Sequence, residues 1–268
     1  MGAPMNGTVT ETTRETFTIH TYTSPESGLD ANTHIIELAT QILILDTQYA
    51  VPFAREAADF ANGLGKPITR VYISHAHPDH FFGAGVFGAP VYALASTRAV
   101  IEAAGETMLA GNRATAGEFV PDSVTMPTEL VEPGFETIDG VRLEFIAVTE
   151  SEADTMLNIA IPGEGIILAQ DLVYNNLHLY LAEGHLDGWR QNVLTLRTKD
   201  YTTVLPGHGA PGGFELYQFV LDYLDVAEPA LAEAATGEQL KSALLKAFPN
   251  AGGIGLLDIQ NRYMFPGS

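Results

Sequence analysis

Cysteine is missing from the 268-residue chain. That absence removes disulfides, thiolate metal ligands and cysteine nucleophiles together, and it leaves the compartment only weakly constrained, towards the cytoplasm. Basic residues are scarce: 13 Lys and Arg stand against 33 Asp and Glu, a formal net charge of −20. A surface so acidic repels phosphate backbones and anionic lipid, so neither nucleic acid nor a membrane is expected as a partner. No apolar run approaches the ~20 residues that a membrane-spanning helix needs. Met1 to Thr13 carries neither a basic n-region nor an apolar h-region, so no signal peptide is expected. Repeats and low-complexity tracts are not evident either.

What is present suffices for a large core. Hydrophobic residues make up 46% of the chain, and the length suits one domain over residues 1–268 with a helical C-terminal part from about 213. Alternation predicts strands at 14–23, 32–38, 41–45, 70–73 and 91–94, with a helix over 51–64 that stops at Gly65-Lys66-Pro67. A helix capped by Ser96 is expected to run to about Asn112, followed by a less regular stretch over 113–130. A hairpin turning at Asp139-Gly140 covers 135–148. Strands at 156–161 and 166–169 come next, the second ending at Gln170-Asp171. A helix over 188–199 leads to a strand at 203–205 and Pro206-Gly207-His208-Gly209. Helices are expected over 214–235 and 239–248, the second with Thr236 and Gln239 as a capping box. Two strand-rich stretches, each followed by helices, predict an α/β fold with two sheets packed face to face and helices outside.

The densest chemistry lies at residues 75–80. His75, His77, Asp79 and His80 fall within six residues, directly after the strand ending at Ile73 and on a turn marked by Pro78. Four crowded side chains of this kind are hard to account for as packing, because buried titratable groups need compensating partners. Imidazole together with carboxylate suits Zn²⁺, and also Fe or Mn. Asp46, at another strand end, is placed to orient a ligand histidine. His20 and His34 are expected to be structural.

His75-Ala76-His77-Pro78-Asp79-His80 fits the H-x-H-x-D-H motif of metallo-β-lactamase-fold hydrolases, and the chain resembles that family from about residue 15 to 210. Strand-end Asp171 and Pro206-Gly207-His208-Gly209 occupy the family's later ligand places. The resemblance implies a four-layer αββα sandwich with two mixed sheets and a binuclear metal site at one edge. The first metal would take His75, His77 and Glu152, and the second Asp79, His80 and His208. Asp171 would bridge them, and two divalent ions, zinc first, would hold a hydroxide that attacks the substrate. One place departs from the pattern. Where most members carry a histidine in a Gly-His-Thr stretch, this chain reads Thr149-Glu150-Ser151-Glu152-Ala153-Asp154-Thr155. Counting back from the Pro162 turn favours Glu152, with Glu150 as the alternative; alkylsulfatase-type members use Glu in the corresponding role. Lactonase-type members carry a tyrosine three residues after the bridging acid, as Tyr174 stands here. Asp79 and Tyr174 are therefore the candidate catalytic residues.

The expected function is cleavage of a small ester-like molecule, with a lactone or carboxylic ester first. A sulfate ester or β-lactam is the alternative within the same fold, and a non-catalytic metal- or ligand-binding member the alternative outside it. His178 and His185 are expected in surface or supporting roles. The helices beyond Phe214 would cover the pocket or form a homodimer contact.

Overall fold

The computed structural model describes residues 5–267, so Met1 to Pro4 and Ser268 of the expected domain lie outside it. Its first sheet has seven strands, ordered as in the chain: β1 (Thr8–Thr13), β2 (Thr18–Thr23), β3 (Asn32–Glu37), β4 (Ile42–Leu45), β5 (Ile68–Ile73), β6 (Val91–Ala93) and β7 (Glu129–Leu130). β1 to β4 pair antiparallel, whereas β4 to β7 run parallel. The second sheet has five strands: β8 (Gly134–Ile138), β9 (Val141–Thr149), β10 (Thr155–Ile161), β11 (Ile166–Tyr174) and β12 (Thr203–His208). They lie in the order β12-β11-β10-β9-β8, with only β11 and β12 parallel. Both sheets are thus mixed, as expected.

Period-two alternation builds the layers. In β4, Leu43 and Leu45 join Leu143, Phe145, Leu157 and Leu168 in the core between the sheets. Ile42 and Ile44 face the other way, against Phe53, Ala54, Ala57 and Ala61 of α1 (Val51–Gly63). Small residues along α1 let the helix approach the sheet closely, while Phe53 alone contributes roughly 2 kcal/mol by burial. Pro52 in the first turn costs α1 no hydrogen bond. On the outer face of the second sheet, Ala160, Ile167 and Val173 pack against α4 (Leu186–Arg197), α5 (Phe214–Glu233) and α6 (Gly237–Ala247). The remaining helices are α2 (Pro78–Phe81), α3 (Ala95–Ala116) and α7 (Ile254–Met264). The result is the predicted αββα order. No helix among the described residues is long and apolar enough to cross a membrane.

Several boundaries differ from expectation, each for a local reason. Thr8–Thr13 is an edge strand of Thr, Val and Glu that offers no apolar face to read. Ser96 lies inside α3 rather than capping it, since the helix begins at Ala95 without a side-chain cap. Thr236 does cap α6, accepting from the Gln239 amide at 3.3 Å, while the Gln239 carboxamide accepts from Ala235 instead of closing on Thr236. β11 continues five residues past its expected end at Ala169. Its pairing with β12 shifts register between Leu168 and Gln170 and again before Tyr174, so bulges carry it through a stretch that alternation reads as a stop.

Candidate metal centre

All the chemistry gathers where strands end at one edge of the sandwich. Parallel β4 and β5 deliver Asp46 and His75, His77 immediately precedes α2, which carries Asp79 and His80, and β12 ends on His208. From the second sheet come Asp171 and Tyr174 on β11, and Glu152 from the tight β9–β10 turn. Gln170, next to Asp171, has φ of 44° and Asp46 φ of 63°, left-handed conformations at the two strand ends that carry these acids. Gly207 is required by a close approach: a Cβ there would collide with the Asp171 carboxylate.

The seven expected ligand residues form three overlapping groups. His75 with His77 and Glu152, Asp79 with His80 and His208, and His75 with His80 and Asp171 each present atoms within 4.8 Å of one another. His77 Nδ1 lies 3.1 Å from Glu152 Oε1, and His75 Nε2 lies 3.4 Å from Glu152 Oε2. His208 Nε2 lies 3.1 Å from Asp171 Oδ2 and 3.3 Å from Asp79 Oδ2. His80 Nε2 reaches the same two carboxylates at 3.4 and 3.6 Å. Glu150 is not brought in. Its φ of 51° and the bonds from Glu150 N to Asp154 O and Ser151 N to Ala153 O turn the chain, leaving Glu150 exposed and Glu152 buried.

Electrostatics follow from crowding. Burial opposes charge on His80 and His208, yet the surrounding aspartates overcome it: His80 is held well above the usual imidazole range and His208 at about 10. His77 is likewise raised, because Glu152 and Glu183 outweigh its burial. His75 goes the other way, lowered by burial and by its charged neighbours His80 and His77. Burial works against ionised Asp79 and Asp171, but the imidazoles of His80 and His208 keep both well below the carboxylate range. Glu152 is pushed up to about 7, mainly by burial.

The fit to a cation can be judged from unpaired atoms. His75 Nε2, His80 Nε2, Glu152 Oε2 and Asp171 Oδ1 are buried without a hydrogen-bond partner. A buried polar atom left so costs about 1–3 kcal/mol, and all four belong to the clustered ligand groups. Their outward atoms are well held. Asp46 accepts from the Ser74 backbone amide (2.7 Å), the Ser74 hydroxyl (2.6 Å), His80 Nδ1 (2.7 Å) and the Gln170 side-chain Nε2. Ser74 Oγ in turn meets His75 Nδ1 at 2.8 Å, and His208 Nδ1 donates to the Leu29 carbonyl at 2.8 Å. Tyr174 stacks on His208 with ring centroids 4.8 Å apart and donates its hydroxyl to Asp171 at 2.8 Å.

A cavity of about 90 Å³ opens beside these residues. Asp79, Asp171 and His208 line its polar end, and Tyr49, Tyr180, Leu256, Ile259 and Tyr263 its other walls. Sequence reading missed Tyr49 and Asn112 as cavity residues and gave α7 no bounds of its own within the helical part expected from about 213. Gly252-Gly253 followed by Ile254, Leu256 and Leu257 was the available signal for that last helix. It also missed Leu29, which lines the cavity and holds His208 through its carbonyl. His178 is buried with Nδ1 on the Tyr223 hydroxyl, His185 pairs with exposed Asp154, and neither lines the cavity. His34 is structural, bonding Thr21 and the Pro206 carbonyl.

Comparison with known proteins agrees with this geometry. A family model for the metallo-beta-lactamase superfamily matches residues 27–208. An (R)-specific secondary-alkylsulfatase of a Pseudomonas species is 32% identical over 182 residues, 54% of this chain and 28% of that protein. Alkyl/aryl-sulfatase BDS1 of Saccharomyces cerevisiae is 28% identical over 195 residues, 59% of this chain and 30% of that protein. The chain thus matches less than a third of the length of these curated relatives. Among solved structures, metallo-beta-lactamase IND-7 superposes with a TM-score of 0.66 at 17% identity, covering 83% of this chain and all of that one. A metallo-beta-lactamase from Pontibacter korlensis gives 0.62 at 20% identity, covering 82% and 99%. At such identities the likeness speaks for the fold.

Proposed function

The chain belongs to the metallo-beta-lactamase superfamily, and from that premise we propose that it is a hydrolase that uses two divalent ions, zinc first, to cleave a small uncharged ester, a lactone or carboxylic ester. The observation that carries the reading is the set of four unpaired buried atoms on His75, His80, Glu152 and Asp171. His75, His77 and Glu152 would hold one ion, Asp79, His80 and His208 the other, and Asp171 would reach both. When bound, such ions bring water towards neutral acidity and polarise the scissile carbonyl.

The side chains supply the rest. Asp79 lines the cavity and would orient the attacking water as a hydrogen-bond acceptor. Tyr174 is buried and held as a neutral phenol, chiefly by burial and then by Asp171 and Glu152. Its single O–H is donated to Asp171, which keeps that carboxylate in place at the polar end of the cavity, and it would reach a developing oxyanion only by exchanging that bond. The apolar and aromatic walls exclude water from the non-reacting part of a substrate.

Charge favours a neutral substrate. Three carboxylates among the ligand groups offset most of the charge of two dications, leaving about one positive charge, and among the described residues no Lys or Arg lines the cavity. A sulfate ester would meet no side-chain cation there. It stands as the second reading because both curated relatives are named as sulfatases and Glu152 occupies the variant ligand place. A panel of 4-nitrophenyl acetate, a γ-lactone, 4-nitrophenyl sulfate and a chromogenic cephalosporin tests both. Ester or lactone turnover that a chelator stops and zinc restores is the expected result. Turnover of the sulfate alone replaces it with the second reading, and two bound ions with no turnover of any member refute hydrolysis.

A further inference from the structure

Four histidines surround the candidate centre, and they present different nitrogens to it. His75, His80 and His208 each engage Nδ1 outwards, on Ser74 Oγ, Asp46 Oδ2 and the Leu29 carbonyl, and turn Nε2 inwards. His77 is reversed. Its Nδ1 faces Glu152 Oε1 at 3.1 Å, while its Nε2 meets Glu183 Oε1, also at 3.1 Å. The partners differ in exposure too: the Asp46 side chain is 0% exposed and that of Glu183 36%.

Glu183 is not a free surface residue. It belongs to the segment between β11 and α4, which is tied down along its length. The His178 amide donates to the Gly252 carbonyl at 2.9 Å, and the Leu181 amide donates to Oε1 of buried Gln260 on α7 at 2.9 Å. The Gly184 amide then closes a turn on Leu181. The segment therefore brings the carboxylate to His77 in a fixed pose. An imidazole binds a cation through an unprotonated nitrogen, so a carboxylate that accepts the proton of one nitrogen selects the other as ligand.

We infer that Glu183 is a positioning residue for the first ion: by accepting Nε2–H of His77 it fixes the tautomer and the ring angle that offer Nδ1 beside Glu152. The second ion has no such dependence, because His80 and His208 are oriented by groups on other segments. The inference rests on the metal-centre reading but not on any substrate.

The test needs no turnover. Zinc content and affinity are measured by competition with a chromophoric chelator for the wild type, Glu183→Ala and Glu183→Gln, with anomalous scattering from zinc-soaked crystals identifying the site that loses metal. Glu183→Ala is expected to weaken the ion beside His77 and Glu152 roughly tenfold to a hundredfold, with the other site unchanged. Glu183→Gln keeps an acceptor oxygen and should recover much of the loss. Melting of metal-free protein should be the same in all three, as expected for a half-exposed side chain. Wild-type affinity at both sites in Glu183→Ala would overturn the inference while leaving the metal centre intact. Equal weakening of both sites with a lower metal-free melting temperature would overturn it in favour of a general structural role. A wild-type protein that takes up no zinc would overturn it along with the ligand assignment.

Discussion

The two halves of the candidate centre are built to different standards. Asp79, His80 and His208 sit where β5 runs into α2 and where β12 ends, and the histidines are braced by fully buried Asp46 and by the Leu29 carbonyl. His75, His77 and Glu152 draw on a tight turn, and His77 leans on half-exposed Glu183. The acids differ as well. Asp79 is kept ionised by two imidazoles, whereas burial holds Glu152 at about 7. On the proposed reading, the two halves share one fold edge and Asp171 and would still hold two ions unequally. What sets the inequality is how each ligand is supported, more than which ligands are present.

The largest effect should come from erasing the comparison. Asp171 faces His80 and His208 directly and groups with His75. Asp171→Ala is expected to abolish turnover and to reduce zinc content at both positions, read by elemental analysis alongside the ester assay. His77→Ala should also abolish turnover but leave the second ion in place. Retention of both ions and of activity in Asp171→Ala would mean that the halves do not share this residue.

Asp46→Ala comes next, because it removes the direct brace of His80 in the stronger half and, through Ser74, loosens His75 in the other. Ser74, His80 and Gln170 would each lose an acceptor inside the protein. Losing a buried, multiply bonded carboxylate is expected to cost about 3 kcal/mol or more of folding stability, measured by urea denaturation of metal-free protein. A near-neutral result would show that water takes over the role of Asp46.

Acidification should strip metal from both halves. An imidazole must give up its proton to bind a cation, and neighbouring carboxylates hold His77, His80 and His208 above the usual imidazole range, His208 at about 10. Glu152, raised to about 7 mainly by burial, must likewise be ionised to serve as a ligand. Metal content followed by chelator competition is therefore expected to fall as pH drops from about 8 to about 5.5. Glu152→His removes the raised carboxyl from the first half and should alter the profile of that ion alone. A shift at both positions would contradict the unequal-halves picture.

How much of this could be read beforehand depends on how local each feature is. His75, His77, Asp79 and His80 are close in the chain, so spacing alone brings them to one turn. Asp171 and His208 were readable as chemistry at strand ends, although the bulges that extend β11 were not. The choice between Glu150 and Glu152 looked like a question of strand register. The structure answers it differently, since β9 stops at Thr149 and the following turn, not alternation, decides which acid is buried. Asp46 was visible because a strand ends on an acid. Leu29 and Glu183 were not, because each acts across more than 100 residues, on His208 and His77, and the meeting of α7 with Leu181 spans 79 residues; no periodicity encodes such meetings.

The smallest expected effect provides the control for the comparison. Ile259 and Tyr263 line the cavity from α7 and belong to neither ligand group. Trimming the wall should weaken only the grip on the apolar part of a substrate. Ile259→Ala is therefore expected to raise KM for a hexanoate ester by roughly threefold to tenfold, with little change for the acetate, since each apolar contact is worth about a kcal/mol. Zinc content and kcat should match wild type, the signature of binding lost equally from ground and transition states. If Ile259→Ala instead lowers zinc affinity beside His77, then α7 reaches the first half-site through Gln260 and the 175–185 segment, and the weaker half extends to the far wall of the cavity.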